Sequence, residues 1–224
     1  MISNFRFQNV FAKSIITAAV LMSGLTSCSS AYFAALEKIG IEKRDLMVSR
    51  VKSAKDSQIE AKEQFKNALE QYRSIISVKG GSLEEKYEKL NEVLEESEAK
   101  SIEVTSRISK VEDVTEALFD EWDDELNQYS NKSLKRDSEQ KLAVARTHYK
   151  KMINSMKRAE SKLEPALRPL RDNVLYLKHN LNAKAIYALD AELGNIEIKV
   201  EELIRDLSKA IDEADSYIST IENQ

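Results

Sequence analysis

The chain has 224 residues, 32% of them charged, and a formal net charge of −4. Its single Cys excludes a disulfide scaffold and a cysteine-rich zinc cluster, and its 5 Gly and 2 Pro exclude a collagen, a flexible linker array and a turn-rich β-sandwich. The acidic balance argues against nucleic acid as the main partner. We therefore expect a highly charged, mostly helical protein that binds no nucleic acid.

The first thirty residues differ from the rest of the chain. They contain Arg6 and Lys13 but no acidic residue, and the apolar run of residues 14–25 follows. That run is about half as long as a transmembrane helix requires. A basic start, a short apolar run and small residues after it are typical of a secretory signal, which we predict over residues 1–27.

The apolar run ends in Leu25-Thr26-Ser27-Cys28, which resembles the lipobox of bacterial lipoproteins. The resemblance implies cleavage before Cys28, which becomes the new N-terminus and carries diacylglyceryl and palmitate groups. Several acyl chains anchor a protein stably, whereas one does so only marginally. No Asp follows Cys28, which by similarity to known sorting rules favours the outer membrane, with the body facing the periplasm. The alternative is an ordinary signal peptide with an incidental cysteine.

Beyond the signal, apolar residues recur with a helical period, and three turn signals divide the chain into four segments. Gly80-Gly81 before Ser82 predicts the first turn, with Ser82 as the N-cap of the next helix. Residues 130–133 predict the second, with Ser133 as the N-cap, and residues 179–182 predict a weaker third. The predicted helical segments are about 31–78, 83–129, 133–177 and, after Asn182, onward to 221.

The second segment has the most regular pattern. Its seam alternates steps of four and three residues from Leu83 to Tyr129, which is the coiled-coil period. Polar residues such as Ser97 and Thr115 occupy some positions of that seam and reduce its apolar content. In the first segment, Gln58 occupies one seam position. We expect coiled-coil-like packing along the whole length.

Pro165 and Pro169 lie inside the third segment, where a proline removes a hydrogen bond and clashes with the preceding turn at a cost of about 3 kcal/mol. Because the apolar period passes across both, we predict one kinked helix. The alternative ends a helix near Lys162 and places Pro165 first in the next helix.

Net charge alternates between the four segments. It is +3 over residues 29–79, −11 over 82–130, +9 over 132–184 and −7 over 185–224. In an up-down-up-down ring every helix then has neighbours of opposite sign, which favours that pairing order. The predicted fold is an all-α, elongated, antiparallel up-down helical bundle with three to four long helices, roughly 60–70 Å long.

Catalytic and metal-binding patterns are missing from the sequence. The two histidines, His148 and His179, have Ala145 and Tyr176 three residues earlier instead of the Glu that a di-iron bundle needs. No zinc-ligand spacing and no nucleophile triad is evident. We expect no enzyme activity, metal, cofactor or small-molecule substrate.

Residues 175–182 combine polar groups with an apolar stretch and are a candidate partner surface at an end of the bundle. The residues proposed to make the contact are Tyr176, Lys178, His179, Asn180 and Asn182. The alternative interpretation is a capped helix corner with no partner.

Four stretches resemble a known bacterial family. They are Gly40-Ile-Glu-Lys-Arg-Asp45, Ala61-Lys-Glu-Gln-Phe-Lys66, Ala117-Leu-Phe-Asp-Glu-Trp122 and Tyr176-Leu-Lys-His-Asn-Leu-Asn-Ala183. They are similar to the proteins called domain of unknown function 2959, over residues 31 to about 220. The resemblance implies a bacterial envelope protein and supplies no activity or functional residue.

These observations predict a lipidated N-terminus and short tether over residues 28–40 and one bundle domain over residues 41–224. The functional hypothesis is a lipid-anchored periplasmic scaffold, spacer or tether that works through an envelope protein partner or self-association. The alternative is an accessory adaptor of a transport or secretion machine with an exposed helical hairpin. A self-contained bundle buries all its seams, whereas an adaptor leaves one exposed.

We predict that Cys28→Ser prevents acylation and releases or mislocalises the protein, because no acyl chain then holds it. Fractionation of cells that express the wild type or the variant measures this. A variant that stays in the outer-membrane fraction would show that the lipobox assignment is wrong.

Overall fold

The computed structural model describes residues 32–33, 42–78 and 80–222, so the signal segment and Cys28 lie outside the described residues. Within them every regular element is an α-helix, as the sequence predicts. None of these helices combines the length and hydropathy that a membrane span needs. The helices are α1 (Lys43–Ser77), α2 (Leu83–Leu126), α3 (Lys132–Glu160), α4 (Leu163–His179) and α5 (Ala183–Glu222).

The helices form a closed antiparallel ring of four arms, in which α3 and α4 together make the third arm. α1 packs against α2 and α5, and the third arm packs against the same two helices from the other side. Lys43, at the start of α1, pairs with Glu121 near the end of α2 at 3.1 Å. Arg73, near the end of α1, pairs with Glu197 early in α5 at 2.7 Å. The predicted up-down bundle is confirmed, and the 44 residues of α2 make it about 66 Å long.

The first turn forms as its sequence predicts. Gly80 and Gly81 have φ of +92° and +87°, a region that side chains with a Cβ disfavour. The Ser82 hydroxyl then accepts a hydrogen bond from the Glu85 amide at 3.3 Å, which caps α2.

The predicted N-cap of the third segment is wrong. Helix α3 begins at Lys132, and Asn131 rather than Ser133 is the N-cap. The Asn131 Oδ1 atom accepts from the amides of Ser133 at 2.9 Å and Leu134 at 3.3 Å. Asn131 therefore satisfies two of the amides that a helix start leaves without partners.

The predicted single kinked helix of the third arm is also wrong. Helix α3 ends at Glu160, a two-residue turn follows, and α4 begins at Leu163. Pro165 is the third residue of α4, where its missing N–H costs little because the first amides of a helix lack partners anyway. The alternative of two helices is therefore the correct one, with Pro165 two positions further in. Pro169 lies inside α4.

The apolar seams of all arms meet in one main core, and Phe33 packs into it. A smaller cluster of Phe119, Leu126 and Leu142 lies beside it, and Tyr149 packs against both clusters. The polar seam residues Ser97 and Thr115 are buried, and each hydroxyl donates to the carbonyl four residues earlier at 2.7 Å. The seam of the second segment ends sooner than predicted. Because α2 ends at Leu126, Tyr129 lies outside the helix and is exposed.

Ion pairs between arms follow the alternation of charge. Among the described residues, all interhelical pairs but Lys100–Glu60 join a base of a positive segment to an acid of a negative one. These pairs are Lys43–Glu121, Lys52–Glu222, Lys55–Asp215, Arg73–Glu197, Arg146–Asp123, Lys151–Glu213, Lys157–Glu112, Lys162–Glu202 and Arg171–Glu98.

A buried hydrogen-bond network crosses the core. The Tyr72 hydroxyl on α1 donates to the Leu189 carbonyl on α5 at 2.8 Å and accepts from Asn173 Nδ2 on α4 at 2.8 Å. Burial raises the pKa of Tyr72 well above its ordinary value, so the hydroxyl stays a neutral donor. This network connects three of the four arms.

Among the described residues, Gln58 is the one whose completely buried side-chain nitrogen and oxygen atoms have no hydrogen-bond partner. It is 0% exposed, and neither Nε2 nor Oε1 has a partner among the described residues. A buried amide without partners costs about 1–3 kcal/mol.

We predict that Gln58→Met raises the free energy of unfolding by about 1–3 kcal/mol, because an apolar side chain of similar length replaces an unsatisfied amide. Urea denaturation measures the change. The control is Gln64→Met, which removes an amide that has hydrogen-bond partners and should therefore bring no such gain. Gln64 Nε2 donates to Glu96 at 3.1 Å and to Ser97 at 3.4 Å. A Gln58→Met protein that is less stable than the wild type would contradict the prediction.

Candidate functional site

The predicted partner surface lies at one end of the bundle, which we call the distal end. There the turn between α1 and α2 lies near the turn between α4 and α5. The opposite end holds the start of α1, the turn between α2 and α3, and the end of α5. Tyr176, Lys178 and His179 belong to the last turn of α4, and Asn180 and Asn182 to the turn that follows.

The two asparagines of this set stabilise the corner. Asn180 Nδ2 donates to the Tyr176 carbonyl at 2.9 Å, which satisfies a carbonyl that the end of α4 leaves open. Asn182 Oδ1 accepts from the Lys184 amide at 3.0 Å, as an N-cap of α5 does. For Asn180 and Asn182 the geometry supports the capped-corner interpretation.

The other three predicted residues point into solvent. Tyr176, Lys178 and His179 are exposed, and Tyr176 is 43% exposed. The basic pair Lys178 and His179 is favourably placed at the C-terminus of α4, where the helix dipole is negative.

Three exposed apolar residues at the same end were not among the predicted contact residues, although Leu181 lies within the predicted stretch. Tyr187 in the first turns of α5 is 77% exposed, Val78 after α1 is 54% exposed, and Leu181 between α4 and α5 is 50% exposed. We define the distal surface as Val78, Tyr176, Lys178, His179, Leu181 and Tyr187. The signal for Tyr187 was present in the sequence, because it lies one position off the seam defined by Ile186 and Leu189.

Two open grooves adjoin this surface. Val78 and Tyr187 line a groove of about 460 Å³ beside the Gly80-Gly81 turn. Lys86 also lines this groove, and its ammonium donates to the Val78 carbonyl at 2.6 Å. Tyr176 lines a second groove of about 590 Å³ between α4 and α5. Exposed apolar side chains beside a groove are typical of surfaces that contact another macromolecule.

Apart from its tyrosines, the distal surface as defined has two ionisable side chains, Lys178 and His179. Its only imidazole is His179, and His148 lines a cavity with residues of the opposite end. Over residues 32–33, 42–78 and 80–222, no group of three or more His, Cys, Asp and Glu side chains is placed to hold a metal ion. What the arrangement offers is an exposed apolar and basic contact surface.

A family model described as a protein of unknown function (DUF2959) matches residues 32–221, which is most of the chain. No curated protein and no solved structure matches the chain.

We predict that Asn182→Ala lowers the free energy of unfolding by about 0.5–2 kcal/mol, because α5 loses its N-cap. The matched control is His179→Ala, which changes an exposed side chain three residues away and stays within about 0.5 kcal/mol of the wild type. Urea denaturation of both variants measures the difference. Equal losses in the two variants would show that Asn182 does not act as the cap.

Proposed function

The chain belongs to the DUF2959 family of proteins of unknown function, and we propose that it is a lipid-anchored spacer in the bacterial envelope. In this proposal Cys28 holds the protein in the outer membrane and the bundle extends into the periplasm. The distal surface then contacts an envelope protein. The role is one of binding and positioning, without catalysis.

The observation that carries the proposal is the position of residues 32–33, which follow Cys28 closely in the sequence and pack far from the distal surface. Cys28 precedes Tyr32 by four residues, which reach at most about 14 Å even when fully extended. The Tyr32 hydroxyl accepts a hydrogen bond from Arg50 at 3.4 Å, and Phe33 is buried in the core. In this proposal, an anchor at Cys28 would lie within about 14 Å of Tyr32, which contacts the first third of α1.

The distance from that point to the distal end follows from helix geometry. Arg50 and Ser77 are 27 residues apart on α1, which corresponds to about 40 Å of helix. A membrane anchor near Arg50 thus holds the distal surface several tens of ångströms away. A spacer requires this separation.

The closed core also supports a self-contained rod over the adaptor alternative. An adaptor hairpin needs an apolar seam that is open to a partner. In the part of the chain that the structure describes, residues of every arm contribute to the common core. The exposed apolar side chains of the distal surface surround the turns instead of following a seam.

The chemistry of the distal surface indicates its partner. Tyr176, Leu181 and Tyr187 offer apolar contact area, and aromatic side chains often dominate binding energy at interfaces. Lys178 and His179 add basic groups beside them. A protein surface with apolar side chains and carboxylates complements this arrangement.

We predict that a photo-reactive phenylalanine analogue at position 187 crosslinks the full-length protein to a discrete envelope protein in intact cells. The matched control replaces Tyr129, which is 43% exposed beyond the end of α2, away from the distal surface. Mass spectrometry identifies the captured species. The proposal expects a protein adduct from position 187 and none from position 129.

Two results would overturn the proposal. Equal protein adducts from both positions would show that the distal surface does not bind a partner in preference to the surface around Tyr129. Lipid adducts from position 187 without a protein adduct would show that this end meets a membrane.

A further inference from the structure

The end of the bundle opposite the distal surface contains a cavity that the spacer role does not use. It has a volume of about 200 Å³ and lies where α1, α2, α3 and α5 converge. Most of its lining is apolar. These lining residues are Met47, Leu118, Phe119, Trp122, Ala145, Tyr217 and Ile221.

The walls of the cavity are held in place by contacts between arms. Phe119 and Tyr149 make an edge-to-face ring pair with centroids 5.7 Å apart. The Tyr217 hydroxyl lies 3.4 Å from the Met47 sulfur. The Trp122 Nε1 atom donates to the Ser138 hydroxyl at 2.8 Å, which fixes the indole. The cavity is therefore a feature of the packed bundle.

The size of the cavity suits an alkyl chain. An apolar cavity of about 150 Å³ stays dry and binds a molecule as large as benzene. A methylene group is similar in size to a water molecule, whose share of liquid volume is about 30 Å³. A cavity of about 200 Å³ therefore holds about six or seven methylene groups.

The rim of the cavity is basic. Arg44 and His148 line it, both are exposed, and no Asp or Glu lines it among the described residues. One Nη atom of Arg44 donates to the Ile221 carbonyl at 2.8 Å, which fixes the side chain beside the opening. The guanidinium has further N–H donors for a ligand. An apolar interior below a basic rim matches an alkyl chain with an anionic head.

We propose that this cavity binds the acyl chain of a fatty acid, with the carboxylate at Arg44 and His148. The inference goes beyond the spacer role and does not depend on it, since it needs neither the anchor nor the distal surface. It assigns a ligand site to the end of the bundle near which residues 32–33 pack against α1.

Trp122 makes the test specific, because it is the only tryptophan of the chain and lines the cavity. The protein is the full chain carrying Cys28→Ser, made by cell-free translation so that no attached acyl chain competes. The probes are butanoate, hexanoate, octanoate and decanoate, each titrated below its micelle concentration while Trp122 emission is recorded.

We predict that affinity rises about four-fold per added methylene up to octanoate, because each buried methylene contributes a constant increment, and then levels off. Octylammonium binds at least ten-fold more weakly than octanoate because the rim is basic. No change of Trp122 emission with any probe would overturn the site. Affinity that keeps rising at the same rate beyond octanoate would show non-specific association instead.

Two variants separate the interior from the rim. Ala145→Leu fills the cavity and should weaken octanoate binding at least ten-fold, whereas Ala188→Leu, in the groove between α4 and α5, should not. Arg44→Gln should remove the preference for octanoate over octylammonium and keep the chain-length dependence. Unchanged binding by Ala145→Leu, or an unchanged head-group preference in Arg44→Gln, would contradict the proposal. If Ala145→Leu fails to fold, as judged by circular dichroism, Arg44→Gln still decides.

Discussion

The fold depends on closing four apolar seams around one core. Each arm, whether one long helix or the α3–α4 pair, has one apolar stripe and many charges, so a single arm gains little by folding alone. The stripes of all arms reach fully buried positions only in the ring, as Phe65 on α1 and Ile196 on α5 show. The elongated shape, the two ends and the exposed turns all follow from this closure.

The alternation of charge adds little to the stability that the apolar seams supply. A surface ion pair such as Lys55–Asp215 or Lys157–Glu112 contributes only about 0–1 kcal/mol. The pairs instead affect which arms become neighbours. If α1 packed beside the third arm, two net positive surfaces would face each other, whereas the observed ring joins opposite signs at every boundary.

The sequence predicted those parts of the fold that depend on local chemistry or on the helical period. Gly80 and Gly81 readily adopt the positive φ that a turn needs, and Ser82 is a good N-cap. The turn formed there as predicted. The break before Leu163 was predicted only as the alternative to a kinked helix. The backbone of Ser161 and Lys162 stays right-handed there, with ψ of −13° and −10°. The apolar period continues through such a turn, so periodicity alone cannot detect the break.

The functional surfaces were predictable to different degrees for physical reasons. Tyr176, Lys178 and His179 adjoin a predicted turn, where exposure follows from the local sequence. The exposure of Val78 and Tyr187 depends on which parts of two distant turns cover one another. The cavity beside Trp122 depends on four helices at once, and no local pattern reports how closely they converge. Position along the seam predicts burial but not the quality of packing.

The four arms can follow one another clockwise or anticlockwise around the ring. Neither the apolar seams nor the charges select one of these two mirror-image orders. Both orders bury the same stripes and join the same opposite signs, since reversing the direction around the ring leaves every neighbour unchanged. The Tyr72 hydroxyl distinguishes them, because it needs Asn173 across the core and the Leu189 carbonyl of α5 on one particular side. In the mirror order α2 would take that side, and the buried hydroxyl would lose a partner at a cost of about 1–3 kcal/mol. Gln58, whose side chain has no hydrogen-bond partner in the described part of the chain, adds no such preference. A satisfied polar network therefore specifies what the apolar core alone leaves open.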